Sequence, residues 1–310
     1  MASEMQTGLR GVYAAVLTPF TAALEPDLDA FVAHCSWLLA NGCDGLAPLG
    51  TTGEANSLSV AQRLALVAAA AEGGVPMARC IFGAGSCALA DAVTVTRAVV
   101  AAGGGGALLL PPFYYKNPSE DGLFAFFSEV IQRVGDRRQR IYLYHIPGMS
   151  SVPISLKLVA RLKRDYGDVI AGLKDSSGDW QTTATFLKEF PGFGVFSGSE
   201  EFLLPNLRAG GVGCISASTN VTAPLARPVY AGWRGDEAEA LQHGLTEVRL
   251  VFQAYPLQAA LKEVMSRITG NDSWRILLPP NRPLAAAQRT ELAARLEALP
   301  QLRPVLRRAA

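Results

Sequence analysis

The sequence has almost no net charge and very few histidines. Its 28 basic and 27 acidic residues leave a formal charge of +1, with the two signs interspersed. A nucleic-acid groove or an acidic partner needs clustered charge, so neither is expected. The one basic cluster, Arg137-Arg138-Gln139-Arg140, reads as a solvated loop ahead of a strand. There are three histidines, none at ligand spacing, so no metal site and no cofactor is called for.

Five cysteines (Cys35, Cys43, Cys80, Cys87, Cys214) form no CxxC pair. An odd count without framework spacing fits a reducing compartment and inert thiols. The opening MASEMQTGLRG lacks a cationic segment leading into an apolar one, and no apolar run is long enough to span a bilayer. The expectation is a soluble, cytoplasmic protein with no membrane contact.

What is present is an ample supply of apolar residues, 49% of 310, arranged in short repeating runs. They read VYAAVLTP (12–19), DGLAPLG (44–50), ARCIFGAG (78–85), GALLLPP (106–112), RIYLYHIP (140–147), DVIAGLKD (168–175), FGVFSGS (193–199) and GVGCISAS (211–218). Between them lie stretches of helical period that open at Asp or Ser and stop at Gly, as capped helices do. Near-continuous apolar strands alternating with helices mean parallel strands covered on both faces. Eight such units predict an α/β fold, a (β/α)8 TIM barrel over residues 1–225. A doubly wound sheet is the weaker reading, because no GxGxxG follows the first strand. The Gly103–Gly106 run follows a helix and precedes a strand, so it is a turn and not a phosphate cradle. From residue 226 to 310 the pattern is helical only, a C-terminal appendage.

In such a barrel chemistry gathers at the C-terminal strand ends. Tyr144 and Lys174 end successive runs 30 residues apart, one βα repeat. A lysine drawn partly out of water loses proton affinity and becomes an amine nucleophile for a carbonyl. A neighbouring phenol can carry protons to and from the carbinolamine. The Gly50-Thr51-Thr52-Gly53 turn offers backbone N–H groups and hydroxyls for a small carboxylate, although helix capping alone would also explain it. Together these parts describe a 2-oxo acid held by its carboxylate with its ketone at Lys174. Asp175 reads as a loop organiser, and His145 points to the opposite face by strand alternation.

The motifs PLGTTGEANSLS, PPFYYKNPSEDGL, YLYHIPG, GLKDSSGD and GVGCISASTNV, in this order, resemble the dihydrodipicolinate synthase and N-acetylneuraminate lyase family of pyruvate-dependent class I aldolases. The resemblance spans nearly the whole chain. It implies a homotetramer, a dimer of dimers, and a Lys174 Schiff base with pyruvate or a related 2-oxo acid. It also implies Tyr144 as proton shuttle and Thr51 and Thr52 as carboxylate and relay groups, with Thr52 counted among the catalytic residues. Tyr115 matches a tyrosine that reaches a neighbouring subunit's site, and Ile215 a position whose carbonyl lines the pyruvate pocket. Gly198, Glu200 and Glu201 lie in GSEEF, which resembles the acidic pair with which the lyase branch grips sugar hydroxyls. An acidic pair also complements a helix start, so both readings of it stand. One position departs: synthase members carry an arginine where this chain has Met149, and a planar bidentate donor for a second carboxylate is thereby lost. The expected activity is a lyase-type aldolase or dehydratase acting on a hydroxylated 2-oxo acid. The alternatives are 4-hydroxy-tetrahydrodipicolinate synthesis from pyruvate and aspartate semialdehyde, and a non-catalytic barrel that binds a small acid.

Overall fold

The apolar runs form eight parallel strands, and in six of them every residue is buried. Burial on both faces is what a strand needs when side chains fill a barrel on one side and helices cover the other. A computed structural model describes residues 8–306; the first seven residues, most of the stretch read for a leader, lie outside the described residues. The strands are β1 (Gly11–Ala14), β2 (Gly45–Leu46), β3 (Ile81–Gly83), β4 (Gly106–Leu109), β5 (Ile141–His145), β6 (Ile170–Asp175), β7 (Gly194–Ser197) and β8 (Gly213–Ser216). Their order is β2-β1-β8-β7-β6-β5-β4-β3, and a parallel bridge between Leu46 and Cys80 joins the two ends into a ring. The predicted (β/α)8 barrel is the observed fold.

The helices follow the capping signals. Helix α1 (Leu28–Ala40) starts at Asp27, whose carboxylate accepts the Ala30 N–H at 3.0 Å. Helix α2 (Val60–Glu72) starts at Ser59, with Gln62 reaching back to the Ser59 N–H at 2.9 Å to complete a capping box. After α3 (Leu89–Ala101) come α4 (Glu120–Val134), which opens at Ser119 and closes at left-handed Gly135, and the single turn α5 (Pro147–Ser150). Helices α6 (Leu156–Tyr166), α7 (Trp180–Glu189) and α8 (Leu203–Arg208) complete the outer ring with α9 (Thr219–Gly232). The Gly103–Gly106 run is the turn between α3 and β4, with Gly103 at φ +77°.

Side chains from around the ring of strands fill the barrel: Tyr13, Ala47, Ile81, Leu108, Tyr142, Phe196 and Ile215 form one buried cluster there. A larger cluster lies between the sheet and the helices.

The tail is helical as expected, with α10 (Ala238–Gln253), α11 (Leu257–Thr269), α12 (Ala286–Glu297) and α13 (Arg303–Leu306). Its core is shared with the barrel, because Leu17, Ala217 and Val221 join Val248, Phe252, Leu261 and Leu292 in one cluster. The boundary drawn at residue 225 falls inside α9, which runs through it unbroken. Among the described residues no helix is long and apolar enough to cross a membrane.

Candidate active site

Lys174 is the last residue but one of β6 and Tyr144 the last but one of β5, and the two are direct partners in the parallel register. Both side chains are buried, with 4% and 5% of their surface exposed, and both point into the barrel mouth. The Lys174 Nζ donates to the Tyr144 hydroxyl at 3.3 Å and lies 4.4 Å from the centre of its ring. On its other side the same phenol oxygen meets Thr51 Oγ1 at 3.4 Å. The result is a line of three groups, amine, phenol and alcohol, drawn from β6, β5 and the turn after β2.

Burial alone raises a phenol's pKa. Here the adjacent Lys174 charge, with hydrogen bonds from Thr51, Lys174 and Ser176, outweighs burial and leaves the Tyr144 phenol below its ordinary value. A phenol so placed releases and retakes a proton more readily than a free tyrosine.

The turn carrying Thr51 is built from strained backbone. Leu49 and Glu54 bracket it at φ +59° and +56°, in the left-handed region that costs non-glycine residues free energy. Gly83 of β3 passes so close beneath that a side chain there would collide with the Leu49 carbonyl. Thr18 Oγ1 donates to the Gly53 carbonyl at 2.8 Å and pins the turn to the segment that follows β1. Among the described residues the N–H groups of Thr51, Thr52 and Gly53 donate to no backbone carbonyl, so three adjacent donors stay available. Sequence reasoning counted Thr52 as catalytic, yet the hydroxyl that reaches Tyr144 belongs to Thr51. Successive side chains of a tight turn diverge, and Thr52 is buried, with no side-chain hydrogen bond to Tyr144 among the described residues.

The remaining expected residues divide. Ile215, in the middle of β8, is fully buried within the barrel cluster that also holds Tyr144. Gly198 packs where β7 ends, its N–H donating to the Asp175 carbonyl at 2.6 Å, and a side chain there would strike Ser176 Oγ. Glu200 is fully buried, and its carboxylate accepts from Ser216 Oγ and, at 2.7 Å, from Thr222 Oγ1. It is therefore engaged within the chain, holding β8 and α9 together. Glu201, half-buried, keeps its carboxylate clear of such bonds. Tyr115 is not brought to this site: with 78% of its surface exposed it stands on the rim beside Tyr114, their rings 5.3 Å apart and perpendicular. Met149, on α5, is likewise 65% exposed.

Two readings of neighbouring residues hold. His145 faces the helices, where its Nδ1 accepts the Ile154 N–H at 3.0 Å and its ring meets Phe186. Asp175 organises the loop after β6, accepting from the Ser177 N–H at 2.9 Å and from Thr183 Oγ1. Ser176, missed from sequence, follows Lys174 by two residues and acts on the Tyr144 phenol; only its place at a strand end signalled it.

Comparison with known proteins agrees with this fold. A DapA-like lyase of Chloroflexus aurantiacus is 33% identical over 292 residues, covering 92% of this chain and 94% of that relative. The crystal structure of dihydrodipicolinate synthase from Agrobacterium tumefaciens superposes with a TM-score of 0.86 at 32% identity, covering 93% of this chain and 99% of that one. YagE, a prophage protein of E. coli K12 solved in complex with pyruvate, superposes at 0.87 with 26% identity, covering 94% and 99%. The model of the dihydrodipicolinate synthetase family matches residues 8–299, and this chain belongs to that family of aldolases and lyases.

Proposed function

We propose that the protein is a Schiff-base-forming lyase acting on a hydroxylated 2-oxo acid, with pyruvate as product or co-substrate. The carrying observation is the register-paired Lys174 and Tyr144, their polar atoms 3.3 Å apart in a buried barrel mouth. The Lys174 amine adds to the substrate's C2, and Tyr144 moves the proton that lets the carbinolamine oxygen leave as water. Thr51 relays that proton, and the free N–H groups of its turn receive the carboxylate. In the resulting iminium, loss of the C4 hydroxyl proton breaks the C3–C4 bond. The electron pair enters the iminium as an enamine while an aldehyde departs; protonation at C3 and hydrolysis release pyruvate. Expulsion of a hydroxyl group in place of the carbon fragment gives dehydration on the same covalent platform.

Glu201, half-buried just after the strand-7 end, supports a polyol substrate. Exposed Met149, a thioether where a carboxylate-binding arginine would stand, speaks against a second carboxylate on the partner molecule. The named synthase among the superposed structures keeps a second reading in play, synthesis of 4-hydroxy-tetrahydrodipicolinate. A coupled assay with pyruvate and aspartate semialdehyde separates the two. Tyr115, exposed on one chain, fits a residue that completes the site of a second copy in a tetramer, which light scattering of the purified protein checks.

Borohydride added with pyruvate is expected to leave a reduced adduct on Lys174, seen by intact mass and peptide mapping. Lys174→Ala abolishes the adduct, and Tyr144→Phe slows its formation by about 10²–10⁴-fold. No adduct with any 2-oxo acid would falsify the covalent reading.

A further inference from the structure

Behind the Thr51–Thr52 turn lies an ion pair that the chemistry above does not use. Glu54, the residue after Gly53, and Lys262, on α11, have fully buried side chains 2.6 Å apart. Every polar atom of the pair is engaged. The second Glu54 oxygen accepts from the Leu278 N–H at 2.9 Å and from Asn281 Nδ2 at 3.2 Å. Lys262 Nζ also donates to the Ile276 carbonyl at 2.8 Å and lies 4.1 Å from the centre of the Phe20 ring. One helical turn earlier on α11, Gln258 Nε2 donates to the Thr51 carbonyl at 3.3 Å. Residues four apart share a helix face, so α11 grips the turn at both ends.

Stability alone does not account for this pair. Two apolar residues of similar volume generally serve a core as well as a buried ion pair does. Burial draws the Lys262 ammonium down to about 8 even though Glu54 pulls it up, so the partner does not fully offset the loss of water. A fully satisfied pair does fix positions, and the turn it fixes has left-handed non-glycine residues at both ends.

We propose that Glu54, Lys262 and Gln258 are positioning residues for the carboxylate of the 2-oxo acid. Through them the C-terminal helices set the placement of the Thr51, Thr52 and Gly53 donors, and hence the affinity for the keto acid. This rests on the reading of that turn as the carboxylate seat. None of the three reaches the Lys174–Tyr144 pair, so the inference concerns binding and leaves the covalent step itself alone.

The test is borohydride trapping over a pyruvate concentration series on the full-length protein, with melting followed by circular dichroism. Lys262→Met is expected to raise the half-saturating pyruvate concentration by about tenfold, and Gln258→Leu by a smaller factor, since a small displacement of a positioned donor is enough. The trapping rate at saturation stays near that of the parent chain. A residue with a merely structural role lowers the amount of trappable protein without moving half-saturation, and that result in either folded variant overturns the proposal. If Lys262→Met does not fold, Gln258→Leu decides, because it removes one partly exposed amide and no charge. Absence of trapping in the parent chain defeats the reading of the site, whereas failure confined to the variants defeats only this inference.

Discussion

Glu200 and Glu201 are chain neighbours with opposite surroundings. Glu200 holds Ser216 and Thr222 in a region closed to water, whereas Glu201 is half-buried and its carboxylate makes no such bond among the described residues. Replacing Glu200 by Ala strands two buried hydroxyls and is expected to cost about 2–4 kcal/mol, read as a lower denaturant midpoint at unchanged slope. Glu201→Ala is expected to leave that midpoint within about 0.5 kcal/mol of the parent while raising KM for a polyol substrate. Equal destabilisation by the two substitutions would contradict the assignment. At this scale the strand-end residues were legible, because apolar runs end where barrels place their chemistry. Which acidic neighbour turns inward was not legible, since a short 3-10 turn at Glu200–Phe202 decides it. Which of Thr51 and Thr52 reaches the Tyr144 hydroxyl was not legible for the same reason: a turn has no side-chain period to read.

Elements were read more surely than residues. The capping signals at Asp27, Ser59, Ser119, Ser155 and Asp179 each mark a helix start, because a side-chain acceptor for the first free N–H groups is a local requirement. Strand β2 proved only two residues long, against a run of seven; Ala47 still bonds Ala14 and Val16, and left-handed Leu49 then turns the chain away. Helix α1 carries the chain's clearest pH liability. His34 is fully buried, with Nε2 2.9 Å from Asn220 Oδ1 and its ring edge-on to Trp274, and burial holds its pKa down to about 4 from 6.5. Because the folded value lies below the unfolded one, stability is complete above about pH 6.5 and falls as acid protonates the unfolded chain. By pH 4 the loss reaches about 3 kcal/mol. Melting followed between pH 7 and 4.5 should decline in the parent chain and decline less in His34→Gln.

At the scale of the whole molecule the helical tail belongs to the barrel. Composition announced a change of pattern near residue 225 and did not announce the Lys262–Glu54 bond, which joins residues 208 apart. No local signal encodes a contact of that range. A chain ended at residue 225 would cut α9, expose Leu17, Ala217 and Val221, and leave the Glu54 carboxylate without its cation. Losing one member of a buried pair costs about 3–5 kcal/mol by itself, a large share of a domain's net stability. The shortened chain is therefore expected to lack a cooperative melt and dispersed amide resonances. A cooperative transition from residues 1–225 alone would show that the barrel folds without the tail.

The ring of strands has a seam. Strands β2 and β3 meet through the Leu46–Cys80 bridge and one further bond, from the Gly83 N–H to the Pro48 carbonyl at 2.8 Å, while β5 and β6 pair along five residues each. The strained turn is the chain's continuation out of that seam, and the Glu54–Lys262 pair ties that turn to α11. A barrel closed by so few bonds should breathe first at its seam. Amide exchange is expected to be faster at Ile81 and Gly83 than at Leu143 and Leu173, and a bound keto acid should slow the seam and leave the opposite wall unchanged.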